Sequence, residues 1–95
     1  MPYVLRYHPA VAEDDLPEIP ANLRARLAGA IAARLTTEPA RYGVPLSGSL
    51  RPYWKLRVGD YRVIFRVVGR DVRILAIMHR KRVYEEVQPR LGWPP

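Results

Sequence analysis

The stretch Trp54-Lys55-Leu56-Arg57-Val58-Gly59-Asp60-Tyr61-Arg62-Val63-Ile64-Phe65 decides how this chain folds. Side chains of an extended strand alternate between its two faces. Trp54, Leu56 and Val58 therefore share one face, and Lys55 and Arg57 share the other. Gly59-Asp60 is a two-residue break with the composition of a hairpin turn. Beyond it the alternation resumes, with Tyr61, Val63 and Phe65 against Arg62, Ile64 and Arg66. A second break at Gly69-Arg70-Asp71 leads into Val72, Ile74, Ala76 and Met78 against Arg73, Leu75, Ile77 and His79. The pattern predicts strands over Tyr53–Val58, Tyr61–Val68 and Val72–His79, joined as an antiparallel meander.

Upstream, Tyr3–His8 is rich in β-formers and reads as a first strand. Pro9 opens a short helix that Pro17 ends, and Glu13, Asp14 and Asp15 suit its start by charge–dipole attraction. Pro20 opens a longer helix. Its Leu23, Leu27, Ala30, Ile31, Arg34 and Leu35 recur at helical spacing, the stripe of a core-facing helix. Residues 39–52, with Pro39, Gly43, Pro45, Gly48 and Pro52, read as a loop. Val83–Leu91 reads as a last short helix closed by Gly92, and Trp93-Pro94-Pro95 as a frayed tail. The fold class is α+β: an N-terminal strand, a helical hairpin, a three-stranded meander and a C-terminal helix. The 95 residues make a single domain, 1–95.

The chain has no cysteine, which excludes disulfides, thiolate metal sites and a cysteine nucleophile. It has no HExxH and no glycine-rich phosphate loop. We expect no metal and no cofactor. No apolar run approaches the roughly 18 residues of a spanning helix, and Met1–Arg6 lacks the form of a signal peptide. A cytoplasmic protein without membrane contact is expected.

Net charge is +7, and its distribution is lopsided. Residues 1–48 carry five arginines and five acids. Residues 49–95 carry nine arginines and two lysines against four acids. On the three strands, one face is almost wholly apolar and should pack on the helices. The other mixes Tyr53, Lys55, Arg57, Arg62, Arg66, Arg73 and His79 with Ile and Leu, without an acid. Uncompensated cations repel one another, and a polyanion relieves that repulsion. This face is expected to bind a polyanion, RNA first, or an acidic protein partner.

The same residues resemble the RelE/ParE superfamily of toxins from type II toxin–antitoxin modules. The resemblance rests on Trp54–Phe65, His79-Arg80 and Tyr84, with Asp15-Leu16, Leu23, Ile31, Leu35, Pro39 and Leu46-Ser47-Gly48 upstream. It covers about residues 3–88. It implies the RelE-like, microbial-ribonuclease-like architecture that the pattern predicts. It also implies a toxin neutralised by a cognate acidic antitoxin. RelE-like members cut mRNA in the 70S ribosome, whereas ParE-like members poison DNA gyrase without being enzymes. The RelE-like branch is favoured here. That branch implies catalytic roles for Lys55, Arg62, Arg80 and Tyr84. Tyr53 stands where RelE has a second lysine, and the spacing from Arg80 to Tyr84 is shorter than in the archetype.

Metal-independent RNA cleavage uses the 2′-hydroxyl as nucleophile on the adjacent phosphate. It needs a base, an acid and cations for the charge on phosphorus. Arginine forks match phosphate oxygens and stay charged, a role assigned to Arg62 and Arg80. Lys55 serves as base or charge stabiliser, and Tyr84 as acid, base or stacking group. His79 is open to acid–base work, phosphate contact or a structural bond. Arg80 falls on the apolar parity, so it belongs beyond the strand end or at a bulge.

Overall fold

The structure, a computed structural model, describes residues 2–82 and 84–94. Five strands form one sheet in the order β1-β5-β4-β3-β2: β1 Val4–Tyr7, β2 Val44–Pro45, β3 Trp54–Val58, β4 Tyr61–Val68 and β5 Asp71–His79. The meander of β3, β4 and β5 is antiparallel as predicted, and β1 adds to β5 in parallel. Both hairpin turns place a glycine first, Gly59 and Gly69, with φ of 57° and 60°. Among the described residues no non-glycine residue has positive φ, and a positive φ at the first turn residue alone is the pattern of a type II′ turn.

The long helix α1, Ala21–Leu35, buries Leu27, Ile31 and Leu35 along the predicted stripe. It packs on one sheet face with Val11, Ile19, Leu56, Val58, Val63, Phe65, Val72, Ile74 and Ile77. Each such side chain contributes roughly 1.5–3 kcal/mol when fully buried. The first helix of the predicted hairpin opens at Pro9 as expected and continues as a π-turn, Val11–Asp15, and a 3-10 turn, Leu16–Glu18, that contains Pro17.

Residues 39–52 are more than a loop. They hold the one-turn helix α2, Pro39–Tyr42, and β2, which pairs Val44 with Lys55 and Pro45 with Trp54. Gly43 between them lies against the core: a Cβ there would sit 2.5 Å from the Phe65 ring. The C-terminal segment Tyr84–Arg90 is a 3-10 helix containing Pro89. Val83, the expected first residue of that helix, and Pro95 lie outside the described residues. Trp93 is not frayed. Its ring stacks at a tilt on His8, with centroids 5.3 Å apart.

A bulge in β5 overturns part of the parity reading. Ile64 pairs with Ala76 but Phe65 pairs with Ile74, so Leu75 is an extra residue. An extra residue reverses the alternation beyond it. Ile77 consequently joins the α1 side, whereas Ala76 and Met78 face the other way. That second face is not open along its centre. Leu50, Tyr53, Ile64, Leu75, Ala76, Met78 and Val87 form a second core, with Tyr84, Leu91 and Trp93 packed on it.

Asp15 and Arg90 lock the bulge. Arg90 donates to Asp15 Oδ2 at 2.8 Å and Oδ1 at 3.0 Å, and to the Leu75 carbonyl at 3.2 Å. Asp15 Oδ2 also accepts the Ile77 N–H at 2.9 Å. Asp15 is thus no helix-start cap; it forms a largely buried ion pair across the ends of the chain. The carboxylate beside Arg90 raises the guanidinium pKa, against the opposing effect of burial.

A candidate nucleic-acid interface at the turn between β3 and β4

The Gly59–Asp60 turn gathers the cations. Arg57 and Arg62 are direct cross-strand partners next to it. The Arg62 guanidinium donates back to the Gly59 carbonyl at 3.2 Å and the Tyr61 carbonyl at 3.0 Å. Arg80 lies one residue beyond the end of β5, and the bulge gives it the parity of Met78, so the apolar parity read from the sequence did not apply to it. Its N–H donates to the Asp60 carbonyl at 2.8 Å, and its Nε lies 3.7 Å from Asp60 Oδ1. Two arginines from strand ends distant in sequence therefore meet at one turn. Both remain at least partly exposed.

Lys55 is the neighbour of Ile64 on β4, one pair further along the same face. A concave surface of about 390 Å³ brings Lys55, Arg57 and Arg62 together with Arg34, Tyr42, Val44 and Leu56. It curves round the edge of β3, which β2 covers only as far as Lys55. No acid lines it. Among the described residues, Lys55, Arg57 and Arg62 make no ion pair. Arg34 and Tyr42 escaped the reading of the sequence. The available signal was Arg34 itself, the one basic residue in the apolar stripe of α1.

Tyr84 packs against the second core, which includes Met78, the cross-strand partner of Arg62. It thus shares the Arg62 face and remains partly exposed. The other expected RNA contacts separate from this place. Tyr53 is 3% exposed; its hydroxyl accepts the Gly92 N–H at 3.3 Å. It is a core residue, because the C-terminal segment covers its face. Arg66 and Arg73 pair with each other at the opposite end of the sheet, beyond the apolar centre. Arg73 Nε is buried there without a hydrogen-bond partner among the described residues. The uninterrupted basic face is therefore two arginine pairs at the two ends of a covered sheet.

His79 moves to the α1 side by the bulge, edge-on to Tyr61 at 5.4 Å. Its Nδ1 accepts the Lys81 N–H at 3.2 Å. It lines a cleft of about 530 Å³ whose charges alternate: Asp14, Asp15, Glu18 and Glu86 with Arg82 and Arg90. Arg82 is clamped by Glu86 and Glu18, which raise its pKa. With four acids against two arginines, this cleft repels a polyanion. His8 is engaged elsewhere, its Nδ1 accepting the Ala10 N–H at 3.0 Å.

The sheet order, the bulge lock and the cations at the turn can be set beside known proteins. The family model of the ParE toxin of the type II toxin–antitoxin system parDE matches residues 2–84. The chain belongs to the RelE/ParE superfamily of toxins. Toxin RelG of Mycobacterium tuberculosis is 33% identical over 86 residues, spanning 88% of this chain and 98% of that toxin. The RelBE2 toxin–antitoxin complex of the same organism contains a similar chain. Its TM-score is 0.75 at 31% identity, over 84% of this toxin and all of that chain. The RelB–RelE complex of Methanococcus jannaschii shares the fold, with a TM-score of 0.62 at 21% identity over 84% of this chain and 95% of that one. This toxin is thus a type II toxin of mixed α+β fold. Among the described residues, no helix is long and apolar enough to cross a membrane.

Proposed function

We propose that this toxin is an mRNA endonuclease acting on translating 70S ribosomes, with its active site at the β3–β4 turn. The observation that carries the reading is the convergence of Arg62 and Arg80 on Gly59–Asp60, with Lys55 and Arg57 alongside. Attack by the 2′-hydroxyl on the adjacent phosphate breaks the bond to the 5′-oxygen and needs no metal. Arg62 and Arg80 bind the phosphate oxygens and stabilise the charge that grows on them. Lys55 supplies a further cation or the base. Tyr84, on the same face, supplies a proton or a stacking surface. Removing one preorganised charge donor of this kind costs on the order of 10²–10³ in rate.

The partner that silences the toxin is a cognate acidic antitoxin, in keeping with the toxin–antitoxin complexes of its structural relatives. An acidic segment is complementary to a chain of net charge +7. Gyrase inhibition is the second reading, favoured by the ParE family match. The deciding experiment maps 5′ ends of cellular mRNA by primer extension after induction, beside the Arg62→Ala/Arg80→Ala double variant. New ends that vanish in the variant support the endonuclease. Intact toxicity without new ends, together with loss of supercoiling by purified gyrase, replaces it with the second reading.

A further inference from the structure

We infer that Arg34 and Tyr42 form a second RNA subsite, taking the nucleotide next to the one held by Lys55, Arg62 and Arg80. The inference rests on the endonuclease reading only in taking single-stranded RNA as the occupant. Four cations, Arg34, Lys55, Arg57 and Arg62, line one concave surface without an acid. Its volume of about 390 Å³ lies at the small end of ligand sites. The catalytic residues account for only one side of it. Arg34 and Tyr42 form the other.

Arg34 occupies a position in the α1 stripe where an aliphatic side chain would add to the core. Its guanidinium instead reaches the Tyr42 ring, 5.9 Å from the centroid, and forms no ion pair among the described residues. Arg41 reaches the same ring at 5.6 Å and is anchored to Glu38 at 3.2 Å. Tyr42 nevertheless stays 43% exposed. An aromatic ring steadied by guanidinium groups beside a basic groove is the composition of a base-stacking platform. On binding, a phosphate draws Arg34 off the ring and a base takes its place. Arg41, tied to Glu38, stays behind and keeps the ring in position. The single turn of α2 and the Gly43 contact with Phe65 fix Tyr42 on the scaffold.

The test is single-turnover cleavage of a defined RNA, free and on programmed ribosomes, as a function of toxin concentration and salt. Tyr42→Ala should raise the half-saturating concentration roughly 5–150-fold, the loss of one stacked base, with the maximal rate little changed. Tyr42→Trp should restore it. Arg34→Ala should lower the log–log salt slope by about 0.7, one single-strand phosphate contact. Arg26→Ala, an exposed arginine of α1 outside this surface, should match the parent. Urea midpoints are read on every variant. The subsite is overturned if Arg34→Ala and Tyr42→Ala cleave as the parent does while Arg62→Ala is impaired; the endonuclease reading then stands. It is also overturned if Tyr42→Ala is impaired only as far as it is unfolded and Tyr42→Trp fails to rescue. A parent that cleaves neither form of RNA overturns both.

Discussion

Replacing Arg57 by glutamate should stabilise the sheet and disable the toxin together. Arg57 and Arg62 are direct cross-strand partners, and like charges directly opposite destabilise a sheet. Opposite charges at such a pair contribute roughly 0.2–1 kcal/mol, so reversing one sign spans about 0.4–2 kcal/mol. Arg57 is exposed, and Arg62 is partly committed to the Gly59 and Tyr61 carbonyls. Solvent and that commitment put the expected gain near the low end, about 0.5 kcal/mol. For a domain of this size, that raises Tm by roughly 2–4 °C. The gain should fade in 1 M salt, where the Debye length is about 3 Å. Thermal unfolding at low and high salt measures the first effect. RNA cleavage measures the second, where a carboxylate in the groove repels the substrate backbone. A Tm that falls at low salt, or cleavage equal to the parent, would refute the reasoning.

Two further outcomes follow from the bulge lock and its surroundings. Asp15→Ala leaves the Arg90 guanidinium, whose side chain is 15% exposed, without its carboxylate, and the Ile77 N–H without its acceptor. A loss of about 3 kcal/mol is expected, and a double-mutant cycle with Arg90→Ala should show coupling above about 0.5 kcal/mol in urea unfolding; additive effects would dissolve the pair. His8 has a pKa lowered by burial and then by Arg90, against Asp15 and Glu13. The unfolded chain accepts that proton near pH 6.5, so the stability contributed by neutral His8 is complete above that pH. It is lost as pH falls through the lower folded value. Urea midpoints at pH 7.5 and 5.5 should therefore diverge less in His8→Asn than in the parent, and equal divergence would remove His8 as the cause.

The meander was legible because β3 and the first parts of β4 and β5 alternate apolar with polar residues and each turn carries a glycine. The stripe of α1 was legible for the same reason at a different period. The bulge was not. Leu75, Ala76, Ile77 and Met78 are all apolar, so no contrast marks where the alternation slips. His79 inherited that error and changed faces. The covered sheet centre was equally hidden, because Tyr53, Tyr84 and Trp93 meet only through contacts distant in sequence. Strand β2 and helix α2 are shorter than any periodic signal. Of the candidate site, Arg62 could be placed beside the turn because it lies two residues from it in sequence, whereas Arg80 reaches the same turn only through the pairing of β5 with β4. Arg34 and Tyr42 needed the fold to reach the edge of β3.

The Asp15–Arg90 lock also sets a schedule. Its partners are 75 positions apart. A ribosome adding roughly 5–20 residues per second makes the acid about 4–15 s before the base. Until then Asp15 waits unpaired, Ile77 and the C-terminal cover have yet to emerge, and β1 has no strand to lie against. The contact of Asp15 with Arg90 over the bulge is thus among the late ones to form. The β3–β4 turn is made earlier, but Arg80 reaches it only when β5 has been laid down. The turn therefore gathers its full set of cations only once β5 and Arg80 have been made.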